Sequence, residues 1–240
     1  MKIVNNTFKI RLAAVRNRIN LACERSGRNP DEITLLAVSK TFPFSRIEEA
    51  YAAGQVHFGE NYIQDCVDKI ARAQSFNLPL QWHFIGHLQS NKVKFYDAGF
   101  YLFHGLDSVK LARGLSRKAL AENFRARVLI QVNIGDEATK SGITAAGLFD
   151  FIREIGYMEG LSIEGLMTIP PVGASAEASR PYFQELFKLF TCAKAEFIEL
   201  LPEFKQLSMG MSNDFEIAIE EGATIVRVGS LLFGEREKKG

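Results

Sequence analysis

The sequence predicts an α/β fold, a single (β/α)8 barrel with one extra helix at its N-terminus. Three observations support this prediction. The chain has 240 residues, of which 47% are apolar, and this suits one large core. Short apolar runs alternate with amphipathic stretches, which is typical of parallel βαβ units. We count eight such runs, the number of strands in a closed barrel; an open doubly wound sheet is the alternative.

The first predicted element is a helix, and strands and helices alternate after it. Five apolar residues recur at helical spacing: Phe8, Leu12, Val15, Ile19 and Ala22. Gly27 and Pro30 follow them and are typical of a helix end. The predicted strands lie at 33–38, 56–58, 82–85, 101–103, 128–133, 162–167, 206–209 and 224–228. The predicted helices between them lie at 45–53, 61–73, 91–96, 108–122, 145–157, 179–199 and 212–221.

The end of the chain departs from a regular barrel, because little sequence follows the eighth apolar run. Residues 230–240 remain after it, so we expect the N-terminal helix to cover the position of a missing eighth helix. The tail at 235–240 is mostly charged and is expected to fray. No linker or low-complexity segment divides the sequence, so residues 1–240 are expected to form a single domain.

Charge, hydropathy and cysteine content exclude several classes of protein. The 29 basic and 28 acidic residues nearly cancel, which gives no electrostatic reason to expect nucleic acid or membrane as a partner. No apolar run reaches the roughly 18 residues that span a bilayer, and the charged N-terminus does not resemble a secretory signal. Cys23, Cys66 and Cys192 are far apart, which suits reduced thiols in the cytoplasm. His83 and His87 lack metal-ligand spacing and are interpreted as packed core residues. We expect no metal site, and a monomer with a dimer left open.

Active sites of this fold lie where the strands end at their carboxyl side, so we take those positions in turn. Lys40 ends the first predicted strand. A desolvated lysine with a lowered pKa forms Schiff bases, whereas a solvated lysine at a strand end is an ordinary surface feature. Asn61 follows the second strand and either hydrogen-bonds a ligand or caps the next helix.

The last two strands end in turns that suit phosphate. The seventh predicted strand stops at Ser208, a glycine-containing turn follows, and Ser212 or Asn213 caps a short helix. Gly229 and Ser230 follow the eighth strand, where a glycine lets the backbone approach a ligand closely. Backbone N–H groups at these two loops are the recurrent phosphate site of the fold. Ordinary turn chemistry is the alternative, because Gly and Ser are common in turns.

Arg227 precedes Gly229 by two residues, so both are expected to face the barrel interior. A buried arginine is costly without a partner. That partner is either an acidic residue or a ring nitrogen of a ligand. A Schiff-base lysine, a phosphate site and an arginine at a ring nitrogen together suit pyridoxal 5′-phosphate, PLP.

Several segments carry a resemblance to a known family. They are AVSKT at 37–41, HFGENYIQ at 57–64, WHFIGHLQSNK at 82–92 and SMGMSNDFEIAIEEGATIVRVGSLLFG at 208–234. VNIGDEATKSG and GLMTIPP match more weakly. In this order, across nearly the whole chain, they resemble the pyridoxal phosphate homeostasis protein family, also called alanine racemase N-terminal domain-like proteins.

The resemblance implies a barrel of the alanine racemase N-terminal type with PLP bound covalently at Lys40. It implies a phosphate site at 208–211 and 229–230, with Arg227 near the pyridine nitrogen. Ser230 stands where many relatives have Thr, which keeps the backbone contact. The cofactor-binding residues implied are Lys40, Asn61, Ser208, Met209, Gly210, Met211, Arg227, Gly229 and Ser230.

The resemblance also implies a role in balancing vitamin B6 and amino-acid or keto-acid pools, and no clear turnover. Arginine does not protonate the ring nitrogen as an aspartate would, so the ring stays a weak electron sink. This does not forbid racemisation, because racemases of the barrels that this chain resembles use the same arginine. The resemblance implies that their second base is a tyrosine from a β-rich domain. We expect that base to be absent here or supplied by another chain. The alternatives are a small PLP-dependent racemase, which predicts exchange of an amino acid's α-hydrogen, and a Schiff-base aldolase for phosphosugars, which predicts no chromophore. No residue is assigned as catalytic.

Overall fold

The computed structural model describes residues 7–135, 141–171 and 175–234. Its strands are β1 (Thr34–Val38), β2 (His57–Glu60), β3 (Gln81–Phe84), β4 (Phe100–Leu106), β5 (Ala126–Asn133), β6 (Ile143–Thr144), β7 (Leu161–Met167), β8 (Gln206–Met211) and β9 (Ile225–Val228). Its α-helices are α1 (Thr7–Ser26), α2 (Phe44–Ala52), α3 (Ile63–Ser75), α4 (Val109–Ala121), α5 (Leu148–Ile155), α6 (Arg180–Glu196), α7 (Phe215–Glu220) and α8 (Ser230–Phe233). Short 3-10 helices lie at Pro30–Glu32, Ser90–Phe95 and Ala176–Ser179.

Eight parallel strands close into a barrel in the order β1, β2, β3, β4, β5, β7, β8, β9. The circle closes because β9 pairs with β1, and because β4 pairs with β5. The short β6 adds to the edge of β5 outside this circle. The closed barrel confirms the predicted fold class, and all eight predicted strands are present, whereas β6 was not predicted.

The core has two layers, as a barrel surrounded by helices requires. A small cluster fills part of the barrel interior: Leu36, Leu102, Leu129, Met167 and Ile225. A much larger apolar cluster lies between the outer faces of the strands and the helices. Side chains alternate between these layers along each strand, which is why the strands appear in the sequence as continuous apolar runs.

The N-terminal helix α1 covers the side of the barrel where the last helix is short. α8 has four residues, and α1 packs against both α7 and α8. The Phe8 ring lies 5.1 Å from the Phe233 ring, between centroids. This arrangement confirms the prediction that α1 takes the place of a full eighth helix.

Two strand ends at the carboxyl side differ from the sequence prediction. β1 ends at Val38, so Lys40 lies beyond the strand rather than at its last position. β8 continues to Met211 instead of stopping at Ser208. The cause is a register shift between β8 and β9, which pairs Met211 with Arg227 and keeps the intervening glycine within the strand.

Several smaller predictions are also corrected. The N-cap of α3 is Tyr62 rather than Asn61, and the N-cap of α7 is Asp214 rather than Ser212 or Asn213. The predicted helix at 91–96 is a 3-10 helix, Ser90–Phe95. The predicted frayed tail at 235–240, and residues 136–140 of the VNIGDEATKSG segment, lie outside the described residues. No helix in the described part of the chain combines the length and apolarity needed to cross a bilayer.

Candidate functional site

A cavity of about 1160 Å³ opens at the carboxyl ends of β1, β2, β8 and β9. This is the end of the barrel where the fold places its active sites, and the volume is ample for a small ligand. Six of the residues predicted to bind the cofactor line it: Lys40, Asn61, Met211, Arg227, Gly229 and Ser230. The other three, Ser208, Met209 and Gly210, are buried within β8 and are not among the lining residues.

Lys40 reaches the cavity through a sharp turn after β1. The backbone N–H of Phe42 donates to the carbonyl of Ser39 at 3.1 Å, which closes the turn. Thr41 lies in the left-handed region with φ 72, an uncommon conformation for a β-branched residue. Strain of this kind persists where the surroundings impose it and is common at functional sites. The half-buried Lys40 is thereby presented to the cavity rather than continuing along the strand.

A buried ion pair between Lys69 and Glu60 stabilises this turn. The hydroxyl of Ser39 donates to Glu60 Oε1 at 2.6 Å, and Lys69 Nζ donates to the same oxygen at 2.6 Å and to the Ser39 carbonyl at 3.0 Å. Burial raises the pKa of the Glu60 carboxyl, and the adjacent Lys69 ammonium opposes that rise. The three groups fix the backbone immediately before Lys40.

Asn61 lines the cavity and has a buried, unsatisfied acceptor in its side chain. Its Oδ1 is buried and has no hydrogen-bond partner among the described residues. A buried carbonyl oxygen without a donor costs free energy of about 1–3 kcal/mol. Because Tyr62 caps α3, the Asn61 side chain is not used as an N-cap.

Arg227 lies deeper, at the base of the cavity, with 4% of its surface exposed. Its Nη1 donates to Ser208 Oγ at 2.7 Å, and its Nη2 donates to the Thr168 carbonyl at 2.9 Å. No carboxylate in the described ranges lies within ion-pair distance of this guanidinium. Burial lowers the pKa of Arg227 to about 10, against the field of Asp214, so the group stays charged at neutral pH. The acidic partner considered from sequence is therefore not found here.

The loops after β8 and β9 meet at the wall next to β1, because β9 pairs with β1 and β8 pairs with β9. The backbone N–H of Gly229 donates to Ser212 Oγ at 3.3 Å, which ties the two loops together. The Asp214 carboxylate accepts from the Met211 N–H at 2.7 Å and from the Ser179 hydroxyl at 2.8 Å. Both of its oxygens thus serve to shape the loop after β8.

Two glycines near these loops, Gly210 within β8 and Gly229 after β9, serve different purposes. Gly210 has φ +85, and a Cβ there would lie 2.5 Å from Ala218 Cβ and 2.9 Å from Phe215 Cα, so glycine is needed for α7 to pack on β8. At Gly229 an added Cβ would meet nothing nearer than Val38, at 3.4 Å. Nothing in the protein around Gly229 requires the absence of a side chain, which leaves room for a ligand at the cavity wall.

The sequence analysis missed a row of polar groups inside the barrel. His57, His83 and His104 come from three successive strands and are hydrogen-bonded in series to Ser208 beneath Arg227. His83 is buried, as predicted. His87, by contrast, is exposed and faces Asp107 at 3.6 Å. The signal for the row was a histidine in each of the three strands, but only the strand register shows that they touch.

Comparison with known proteins gives consistent results. The family described as alanine racemase, N-terminal domain, matches residues 10–237. The protein named pyridoxal phosphate homeostasis protein in Aquifex aeolicus is 44% identical over 227 residues, which cover 95% of this chain and 97% of that protein.

Two solved structures are similar over nearly their whole length. A protein of unknown function from Bifidobacterium adolescentis has a TM-score of 0.89 and 31% identity, covering 97% of each chain. PipY of Synechococcus elongatus, solved with PLP bound, has a TM-score of 0.79 and 34% identity, covering 95% of this chain and 100% of PipY.

Proposed function

Because the chain belongs to the pyridoxal phosphate homeostasis protein family, whose barrel is the alanine racemase N-terminal domain, we propose that it binds PLP as a Schiff base on Lys40. One observation carries the proposal. A single cavity is lined both by Lys40 and by a buried, charged Arg227 that has no carboxylate partner among the described residues. The similar PipY was solved with PLP bound, which supports the same cofactor here.

The cavity fits the chemical groups of PLP. Lys40 supplies the amine for the aldehyde, and Arg227 supplies N–H donors for the pyridine nitrogen. Asn61 Oδ1 is a buried acceptor that still lacks a donor. The wall at Met211, Gly229 and Ser230 offers space for the phosphate. The Met211 and Gly229 N–H groups donate to Asp214 and Ser212 here, so a phosphate that took these donors would replace those two acceptors.

We propose that Ser208, Met209 and Gly210 contribute to binding by holding other residues in place, because they do not line the cavity themselves. Ser208 holds the guanidinium of Arg227. Gly210 lets α7 approach β8, so the loop that begins at Met211 keeps its shape. Met209 is buried in the strand between them.

We propose that the protein carries PLP or acts in regulation and does not catalyse a reaction with clear turnover. When bound, PLP supplies an electrophilic aldehyde and, where its ring nitrogen is protonated, an electron sink. Arg227 remains charged at neutral pH and donates hydrogen bonds without giving up a proton. The titratable side chains on the described part of the cavity wall are Arg18, Lys40, Asp214 and Arg227. Asp214 has both oxygens engaged, so no free second base faces Lys40 from these residues.

The names of the relatives support the proposed biological role. Proteins 39–44% identical to this chain are named pyridoxal phosphate homeostasis protein. We accordingly propose that residues 1–240 form a cytoplasmic, single-domain protein that holds PLP for vitamin B6 and amino-acid or keto-acid homeostasis.

An absorption spectrum of the purified full chain tests the covalent step. We expect a yellow band that borohydride bleaches, with the added mass on the peptide that contains Lys40. Lys69 is the internal control lysine, because its ammonium is held by Glu60, and its peptide should stay unlabelled. Lys40→Ala should abolish the band, whereas Lys110→Ala, at an exposed position on α4, should keep it.

Two outcomes would redirect the proposal. A colourless protein that takes up no added PLP contradicts it, and Lys40 is then tested against phosphosugar aldehydes. A PLP-loaded protein that steadily exchanges the α-hydrogen of an amino acid with solvent deuterium supports the racemase alternative instead of carriage.

A further inference from the structure

A continuous row of hydrogen bonds runs through the barrel interior to Arg227. His57 Nδ1 lies 3.0 Å from His83 Nε2, and His83 Nδ1 lies 2.9 Å from His104 Nε2. His104 Nδ1 lies 3.0 Å from Ser208 Oγ, which accepts from Arg227 Nη1 at 2.7 Å. His83, His104 and Ser208 are fully buried, and His57 is half-buried at the start of β2.

The chemistry of these groups fixes the direction of every bond in the row. A guanidinium only donates, so Ser208 Oγ must accept from Arg227. Among the described residues, the single hydroxyl hydrogen of Ser208 then has one acceptor within reach, His104 Nδ1. A neutral His104 therefore carries its hydrogen on Nε2 and donates to His83 Nδ1. His83 accepts on Nδ1, so it in turn carries its hydrogen on Nε2 and donates to His57 Nδ1.

The opposite direction is unfavourable. If His104 donated from Nδ1, the Ser208 oxygen would accept twice and its hydroxyl hydrogen would be buried without an acceptor among the described residues. An unsatisfied buried donor costs about 1–3 kcal/mol. The one-way order satisfies every ring nitrogen of His83 and His104.

The surroundings keep the row neutral. Burial lowers the pKa of His83 and of His104 well below the ordinary range, and Arg227 adds to the effect on His104. At the other end, burial lowers the pKa of His57, and the Arg127 guanidinium adds to the effect on His57 and His83. Arg127 itself stacks on the Tyr101 ring, 4.0 Å from its centroid, and pairs with Glu164. Positive groups thus stand at both ends of an uncharged row.

Two other uses of a histidine row do not match this geometry. The three rings lie in series, and no group of three or more His, Cys, Asp or Glu in the described ranges is arranged to hold a metal ion. A proton relay needs an end group that takes up and releases protons, but the row ends on an arginine that stays charged at neutral pH.

We propose that Ser208, His104, His83 and His57 are positioning residues, a one-way hydrogen-bond chain that holds the Arg227 guanidinium in a single orientation toward the ring nitrogen of bound PLP. This inference rests on the proposed function for its effect on PLP. The order of hydrogen bonds within the chain stands without it.

Nitrogen-15 spectra of the histidine rings test the order of the chain on the full-length protein before any PLP is added. The sequence has four histidines, and His87→Gln identifies the signal of the one outside the row. We expect His57, His83 and His104 to be neutral at pH 7 with the hydrogen on Nε2. A hydrogen on Nδ1 of His83 or His104, or a doubly protonated ring in either, overturns the proposed order.

Titration with PLP tests the positioning role. Ser208→Ala should raise the dissociation constant about tenfold, because Arg227 loses a charge-assisted hydrogen bond, and should shift the absorption maximum of the bound cofactor. His57→Gln, at the far end of the row, should raise it about threefold through weaker coupling. Ser116→Ala is the matched control. It removes a buried serine that accepts from the Gly160 N–H at 3.2 Å, far from the cavity wall, and should leave both readouts unchanged.

The outcomes separate the two proposals. If the wild-type chain binds no PLP, the proposed function fails while the nitrogen-15 result still decides the order of the row. If PLP binds and Ser208→Ala leaves the dissociation constant and the absorption maximum unchanged, the positioning role is refuted and PLP binding stands.

Discussion

Alanine substitutions at Gly210 and Gly229 test two different requirements for glycine. The fold requires glycine at position 210, whereas the proposed ligand requires it at position 229. At Gly210 the backbone has φ +85, and the new methyl group would lie 2.5 Å from Ala218 Cβ. The left-handed conformation costs about 1–2 kcal/mol for a residue with a side chain, and overpacking costs about 1–3 kcal/mol more. Gly210→Ala should therefore lower the free energy of unfolding by about 2–5 kcal/mol.

At Gly229 the same substitution should leave stability intact. Its φ is −115, and the nearest contact of an added Cβ is an ordinary 3.4 Å from Val38. Gly229→Ala should match the wild-type free energy of unfolding or exceed it by up to about 1 kcal/mol, because alanine restricts the unfolded chain. On the proposed function the methyl group occupies space that the phosphate uses, so the dissociation constant for PLP should rise at least about tenfold, or 1.4 kcal/mol.

Guanidinium denaturation without cofactor gives the stabilities, and absorption titration with PLP gives the affinities. The two substitutions should have opposite effects. Gly210→Ala should lose stability, and Gly229→Ala should lose affinity for PLP. Wild-type affinity in Gly229→Ala would refute the assignment of the phosphate to this wall. A stability loss in Gly229→Ala as large as that in Gly210→Ala would refute the structural account of both loops.

Three further predictions concern stability. Burial lowers the pKa of His83 and His104, so the unfolded chain binds more protons below about pH 6.5. The free energy of unfolding should then fall by about 1.4 kcal/mol per pH unit for each histidine as the pH drops, and less steeply in His83→Gln. Lys69→Met should cost about 3–5 kcal/mol at pH 7, because it leaves the Glu60 carboxylate buried without its cation; chemical denaturation measures it, and no loss would mean that Glu60 is neutral. Phe8→Ala should cost about 3–5 kcal/mol by removing a fully buried ring that packs α1 on the barrel; a loss below 1 kcal/mol would contradict the role of α1 as a substitute for an eighth helix.

The fold was predictable because parallel strands buried on both faces leave a simple trace in the sequence. Each barrel strand appeared as an apolar run, and α1 showed helical spacing of its buried residues. The strand ends were less predictable. The last residue of β8 depends on the pairing of β8 with β9 after a register shift. The local sequence around Gly210 and Met211 does not predict hydrogen bonds to another strand.

The same distinction separates the parts of the site. Lys40, Asn61, Arg227 and Gly229 were predicted because the fold places functional residues at strand ends, and the structure brings all four to one cavity. The support beneath them was not predicted. Ser208 and His104 are 104 residues apart in sequence, and their contact follows from barrel closure rather than from any spacing.

The interior of this barrel is informative about what the site does with a cofactor. Burying a guanidinium and the imidazoles of His83 and His104 gives up apolar packing, so the row must be well satisfied to be tolerated. The row ends on a group that donates hydrogen bonds and withholds its proton at neutral pH. An enzyme that stabilised carbanions would gain from a carboxylate at the same place, since that group favours the protonated ring. On the proposed function, a buried arginine held by Ser208 and His104 would orient the cofactor and leave its ring weakly activated, which suits the proposed carriage of PLP.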